Sequence, residues 1–392
     1  MIEIDPQKLV KKTYLDYAAT TPVDSRVLEA MLPYFQQSFG NPSSVHTYGQ
    51  KAEAALEEAR EVVARHLNCI PEEVIFTSCG SESDNLAIRG VSFAALQQRG
   101  ARHLLVSPVE HPAVAKTARQ LANYYGFDVE WLPVDEFGRV NPNEVAKRLR
   151  SNTALVSVIY ANNEIGTVNP IAQIGSICRN HGIPFHTDAV QAGAYLSMDV
   201  AELNVDLMSI GAHKFYGPKG VGALYVRKGI TLLPSQTGGE QEFGLRAGTH
   251  NIPYIVGLAK AFDIAQVEKE ERSDRVLPLR IQLIGRILEE IPYSQLTGHP
   301  VQRLPNHASF VFKGVDGNAL LMALDVAGYA CSSGSACKTG DPEPSDVLMA
   351  LGLPREWALG SLRVTVGNQT TADEIKAFLD ILPEIIARMR KI

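Results

Sequence analysis

The chain has no excess of positive charge: 37 Lys and Arg stand against 43 Asp and Glu, a net charge of -6 over 392 residues. No basic run offsets this balance, so nucleic acid is not an expected partner. Long apolar runs are also missing. Nowhere do about eighteen apolar residues follow one another, and the first thirty residues hold no apolar leader core. The reading is neither secreted nor membrane-spanning, with no membrane partner and cytoplasm as the default compartment.

Cysteine is scarce. The five present (Cys69, Cys79, Cys178, Cys331 and Cys337) are an odd number in a large chain and form no CxxC pair, and no histidine falls in an HExxH pattern. These absences disfavour a disulfide framework and a structural zinc, and no metal is expected. Neither a Walker A loop nor GxGxxG occurs, which tells against nucleoside triphosphates and dinucleotides. Internal repeats and low-complexity tracts are absent too.

What is there reads as a soluble globular chain, 45% hydrophobic and long enough for two or three domains. Short β-rich runs (EEVIFTS, HLLVS, TALVSVIY, IPFHTD, VDLMSI, VGALYV) alternate with helical stretches, the pattern of an α/β fold with a mostly parallel sheet. From about residue 251 one long helical stretch leads out of this region. A smaller α+β unit follows, closing with a helix that opens on Thr371 and Glu374 at capping-box spacing.

Residues that can carry chemistry recur just after the apparent strands. Lys214 follows VDLMSI in "GAHKFYGPKG", where a buried-edge lysine suits a Schiff base but also reads as a surface-turn lysine. Asp188 and Gln191 in "HTDAVQ" end another strand. A carboxylate there suits a protonated ring nitrogen, and equally a helix N-cap. In "FTSCGSESDNLAIRG" a strand runs into Gly80 and Ser81 and then a helix, a start that binds phosphate through free N–H groups, with Ser81 and Asp84 at capping-box spacing. His111 follows HLLVS, where an imidazole can stack on a ring and move protons. With Asn163, these residues converge on one edge of one sheet.

Together the stretches "YLDYAATTPVD", "FGNPSSVH", "NNEIGTV", "HTDAVQ", "AHKFYGPKG", "RAGT", "SSGSAC", "EPSDVL" and "SLRVTVG" resemble the group I cysteine desulfurases of the NifS/IscS type, within the class V aminotransferase family of fold type I pyridoxal-phosphate enzymes. The resemblance covers nearly the whole chain. It implies a large cofactor-binding domain over 14–262 with a mostly parallel seven-stranded sheet, and a smaller α+β domain made of 1–13 and 263–392. It implies pyridoxal phosphate held by Lys214, with Asp188 on the ring nitrogen, Gln191 on the phenolic oxygen, and His111 and Asn163 against the ring. Gly80, Ser81 and His213 would hold the phosphate, joined by Thr249 from the other subunit of a homodimer.

By the same resemblance Arg363 would clamp the substrate carboxylate, with Asn41 a weaker substrate contact, and Cys337 would take sulfur from L-cysteine as a persulfide on a mobile loop. Delivery to an iron–sulfur scaffold protein or another acceptor would follow. Cys331, nearer a strand, reads as structural. One departure is Gly211, three before Lys214, where many relatives carry a phosphate-binding serine. Two other readings stand beside this one: a C–S lyase or aminotransferase on the same fold, and a non-catalytic partner of sulfur-assembly proteins.

Overall fold

The computed structural model describes residues 12–333 and 343–391. Seven strands form the central sheet: β1 (Val74–Thr77), β2 (His103–Val106), β3 (Asp128–Trp131), β4 (Thr153–Ser157), β5 (Phe185–Asp188), β6 (Leu207–Gly211) and β7 (Gly222–Val226). Their order is β1-β7-β6-β5-β4-β2-β3, and β7 alone runs antiparallel to its neighbours. The reason is the connection: residues 212–221 between β6 and β7 are too few for a crossover, which needs roughly a dozen or more.

Six of these strands are buried along their whole length, as their apolar runs predict. Alternation still sorts them: Leu104 and Leu155 pack with Leu86 and Leu121 on one face, while Leu105 and Val156 pack with Met208 and Phe262 on the other. Each such buried side chain contributes about 1.5–3 kcal/mol. The seventh strand, β3, is an exposed to half-buried edge of sequence DVEW, and so lacks the apolar run that marks the others.

The helical stretch after residue 251 is two helices, Ile252–Val267 and Lys269–Glu290, rather than one. They part at Glu268, whose carboxylate is held by Arg26 at 2.6 Å and Arg272 at 3.1 Å. Beyond them, an antiparallel sheet places His307–Phe312 between Ser361–Thr365 and Ser294–Leu296. The closing helix, Ala372–Met389, has the expected reciprocal cap between Thr371 and Glu374. Thr13–Tyr14 pairs with Tyr329–Ala330, and Asp16 bridges Thr365, so the start of the described chain links that two-stranded ladder to the three-stranded antiparallel sheet.

Candidate active site

A cavity of about 300 Å³ opens where β5, β6 and the turn after β1 end, and Lys214 lies in its wall. The amine of Lys214 donates to the carbonyls of Ala18 at 2.5 Å and Ala19 at 2.6 Å. Burial, and then the charge of Arg363, lower its pKa from 10.5 to about 8 against the pull of Asp16 and Asp188. Two neutral acceptors thus orient an amine that is easily deprotonated. The same N-terminal segment holds the neighbours: Gln191 donates to the Ala18 carbonyl at 2.8 Å, and the His213 ring lies 3.2 Å from the Thr20 hydroxyl.

His111 caps the Pro112–Tyr125 helix, its Nδ1 accepting the Ala113 N–H at 3.1 Å. An accepting Nδ1 leaves the proton of the neutral ring on Nε2. Burial and the Lys214 charge, opposed by Asp188, push the ring's pKa down, which favours that neutral form. One oxygen of Asp188 accepts the Val190 N–H at 2.9 Å; no helix follows it, so it is no helix cap.

Gly80 opens the Gly80–Arg99 helix, and Cys79 before it supplies no side-chain cap. Among the described residues the first N–H groups therefore have no intrahelical or side-chain partner, an arrangement that can bind an anion. The capping box expected from Ser81 and Asp84 is not formed, because the helix already begins one residue before Ser81. Glu82 takes the Ser78 N–H instead, at 2.7 Å. Space here is tight: a Cβ on Gly80 would meet Val190 at 2.5 Å, and one on Gly211 would lie 3.6 Å from the Gly80 nitrogen. The departure at Gly211 thus falls beside this helix start.

Arg363 closes the opposite wall. Its guanidinium donates to Asp16 at 2.8 Å and to the Asn163 carbonyl at 2.9 Å, and its buried Nε has no hydrogen-bond partner among the described residues. The cavity thus brings together Gly80, Ser81, His111, Asn163, Asp188, Gln191, His213, Lys214 and Arg363. Asn41 and Thr249 lie outside it and are exposed, Asn41 accepting the Ser43 N–H at 3.0 Å. Cys337 lies outside the described residues, although Ser332, five positions earlier, is bridged to Arg363.

Three acidic residues were missed. Asp16 sits in the quoted "YLDYAATTP" stretch, which was its only signal. Asp84 lines the cavity with an oxygen that has no hydrogen-bond partner among the described residues and lies 3.6 Å from the His186 ring, and its ligand atom lies within 4.8 Å of those of His111 and Asp188. Glu110 is buried next door and accepts the Ile159 N–H at 2.6 Å. Burial, and then the charge of Asp188, push Asp84 and Glu110 well above the ordinary carboxyl range. His186, behind them, is pushed down to about 3 by burial.

Residues 13–378 match the family model described as Aminotransferase class-V. The chain belongs to that family. Among relatives of this class-V chain, a cysteine desulfurase IscS from Dictyoglomus turgidum is 46% identical over 382 residues, covering 97% of this chain and 96% of the relative. A cysteine desulfurase IscS from Methanosarcina thermophila is also 46% identical, covering 97% and 93%. A solved NifS-like protein superposes with a TM-score of 0.89 at 37% identity, covering 96% of this chain and all of the other. A structure titled "SspA in complex with cysteine" superposes at 0.80 with 37% identity, covering 91% and 99%.

Class-V enzymes of this kind use pyridoxal phosphate, and the cavity fits it. An uncapped helix start suits an anion, a lysine amine suits an aldehyde, and a cluster of buried acids with raised pKa values suits the positive charge that a protonated ring nitrogen would bring. No helix among the described residues is long and apolar enough to cross a membrane.

Proposed function

We propose that this protein is a pyridoxal-phosphate-dependent cysteine desulfurase, converting L-cysteine to L-alanine while Cys337 takes the sulfur as a persulfide. The observation that carries the reading is the meeting of Lys214, Asp188, His111 and Arg363 around one cavity in a class-V chain whose relatives are named cysteine desulfurases. Pyridoxal phosphate, when bound, supplies an electron sink for the bonds at the substrate's Cα.

The chain's own residues do the rest. Lys214 would hold the cofactor and, as a free amine, would take the Cα proton of L-cysteine, a task suited to an amine with a pKa near 8. Asp188 would pair with the ring nitrogen, and Gln191 would hold the phenolic oxygen. Gly80, Ser81 and His213 would hold the phosphate, and Asn163 would contact the ring. Arg363 binds the substrate carboxylate with the donors that Asp16 and Asn163 leave free, its orientation set by those two bonds. His111, protonated on Nε2, carries protons to and from the substrate thiol and the product. The C–S bond of L-cysteine breaks, an S–S bond forms at Cys337, and Cβ receives a proton, so L-cysteine and the thiol become alanine and the persulfide.

The active unit is a homodimer in which Thr249 of one protomer completes the phosphate site of the other. Leu28, Leu32, Phe35, Phe39 and Tyr48 are large exposed apolar side chains within one short stretch of chain, Phe35 packing against Tyr254 and Phe39 against Tyr48, and this supports a covering copy. The division into a large domain over 14–262 and a small one of 1–13 and 263–392, the cytoplasmic location, and an iron–sulfur scaffold or thiolation protein as acceptor complete the proposal. Alanine formed from L-cysteine, with a reductant clearing the persulfide, tests it. Wild type should make alanine and Cys337→Ser almost none. Undiminished turnover in the variant, or pyruvate in place of alanine, would install the lyase reading.

A further inference from the structure

Thr249 is exposed, and among the described residues its hydroxyl has no hydrogen-bond partner. Its neighbours are all held. The Ala247 carbonyl accepts from Gln236 at 2.8 Å, the Gly248 N–H donates to Gln241 at 2.9 Å, and the His250 ring lies 2.7 Å from Glu242. Arg246 is fixed by Glu82 at 2.8 Å, with both side chains about four-fifths buried. A loop restrained at four positions around one free hydroxyl presents that hydroxyl to something outside its own chain.

The Arg246 contact has its other end at the cavity. Glu82 follows Ser81 in the first turn of the Gly80–Arg99 helix, and its second oxygen takes the Ser78 N–H at 2.7 Å. The loop that carries Thr249 is therefore tied to the helix start that forms the phosphate site of its own protomer. Building on the dimer and the role of Thr249 proposed above, we propose that Arg246 is a positioning residue that acts across the dimer. Through Glu82 it holds Thr249 where the partner's cofactor phosphate needs it, so each phosphate site anchors the hydroxyl that completes the other.

Breaking the contact frees the loop, and the cost of reordering it then falls on cofactor binding in the partner protomer. Mixed dimers of differently tagged chains separate this from a local effect. Lys214→Ala marks one protomer, because borohydride fixes pyridoxal phosphate only to a chain that keeps Lys214. In one arrangement Arg246→Ala and Lys214→Ala are on the same chain opposite a wild-type chain. In the other they are on opposite chains. Half-saturation of the fixed cofactor is read against a dimer carrying Lys214→Ala alone.

The first arrangement should need about tenfold more cofactor, and the second should match the control. Arg246→Lys, which keeps the charge, should recover part of the loss. Weakening in the second arrangement, equal weakening in both, or none in either would overturn the inference. Thr249→Ala in the first arrangement checks the foundation. If it leaves half-saturation unchanged, the role of Thr249 has failed; if it weakens binding while Arg246→Ala does not, only the role of Arg246 has failed.

Discussion

Two cations are taken out of water in this chain under opposite arrangements. The Arg60 side chain is 3% exposed and the Glu242 side chain 1%, and they meet through two bonds of 2.8 and 2.9 Å. Phe76 and Phe243 lie against the guanidinium at about 5 Å. Burial opposes the Arg60 charge, but Glu242 outweighs it and holds the pKa above its ordinary value. Among the described residues Lys214 donates to two backbone carbonyls and to no carboxylate, burial and then Arg363 outweigh Asp16 and Asp188, and its pKa falls to about 8. The structural cation is fully compensated. The site cation is left short of compensation, and that shortfall makes it a usable base and nucleophile.

Replacing Lys214 should therefore cost function and spare the fold. Lys214→Met removes the group that holds the cofactor and moves the Cα proton, and alanine formation should fall about 10⁴-fold. Urea unfolding of the cofactor-free protein should show a midpoint no lower than wild type, since an undercompensated buried charge has gone. A clear loss of stability would mean that the carbonyl bonds of Lys214 matter more than its desolvation.

The reverse is expected at Glu242. Glu242→Ala leaves buried Arg60 with only the half-exposed Glu57 and the Val74 carbonyl, and strips acceptors from the Phe76 N–H and His250, so unfolding free energy should drop by about 3–5 kcal/mol. If urea titration finds less than about 1 kcal/mol, water reaches Arg60 and the contrast between the two cations is smaller than their geometry implies.

Which of these groups the sequence reveals follows from how each is held. Lys214, Asp188 and His111 come directly after apolar runs, and buried strands that end at one sheet edge bring such positions together. Arg60 and Glu242 pair across 182 positions, and Asp16 and Arg363 across 347, so no local pattern links them. Asp84 misleads because its spacing from Ser81 imitates a cap while its carboxyl turns into the cavity. The strand β3 is hidden for the opposite reason: its edge position lets Asp128 and Glu130 face Arg150, and the apolar signature disappears. Cys337, in the Gly/Ser-rich stretch, is read from resemblance, and it lies outside the described residues.

The smallest expected effect concerns the pH at which the Lys214 amine becomes free. A folded-state pKa of about 8 against an ordinary 10.5 means that the folded chain sheds its proton first. Between these values the unfolded chain binds more protons, so the cofactor-free protein gains stability as pH rises from about 8 to 10.5, and below about 8 the burial penalty is present in full. Capture of the cofactor requires the neutral amine, a fraction that rises about tenfold between pH 7 and pH 9 for such a pKa. The rate at which the cofactor-free protein acquires bound-cofactor absorbance should rise by that factor and then level off. A rate still climbing steeply at pH 10 would show Lys214 to be compensated like Arg60, and the contrast between the two sites would be lost.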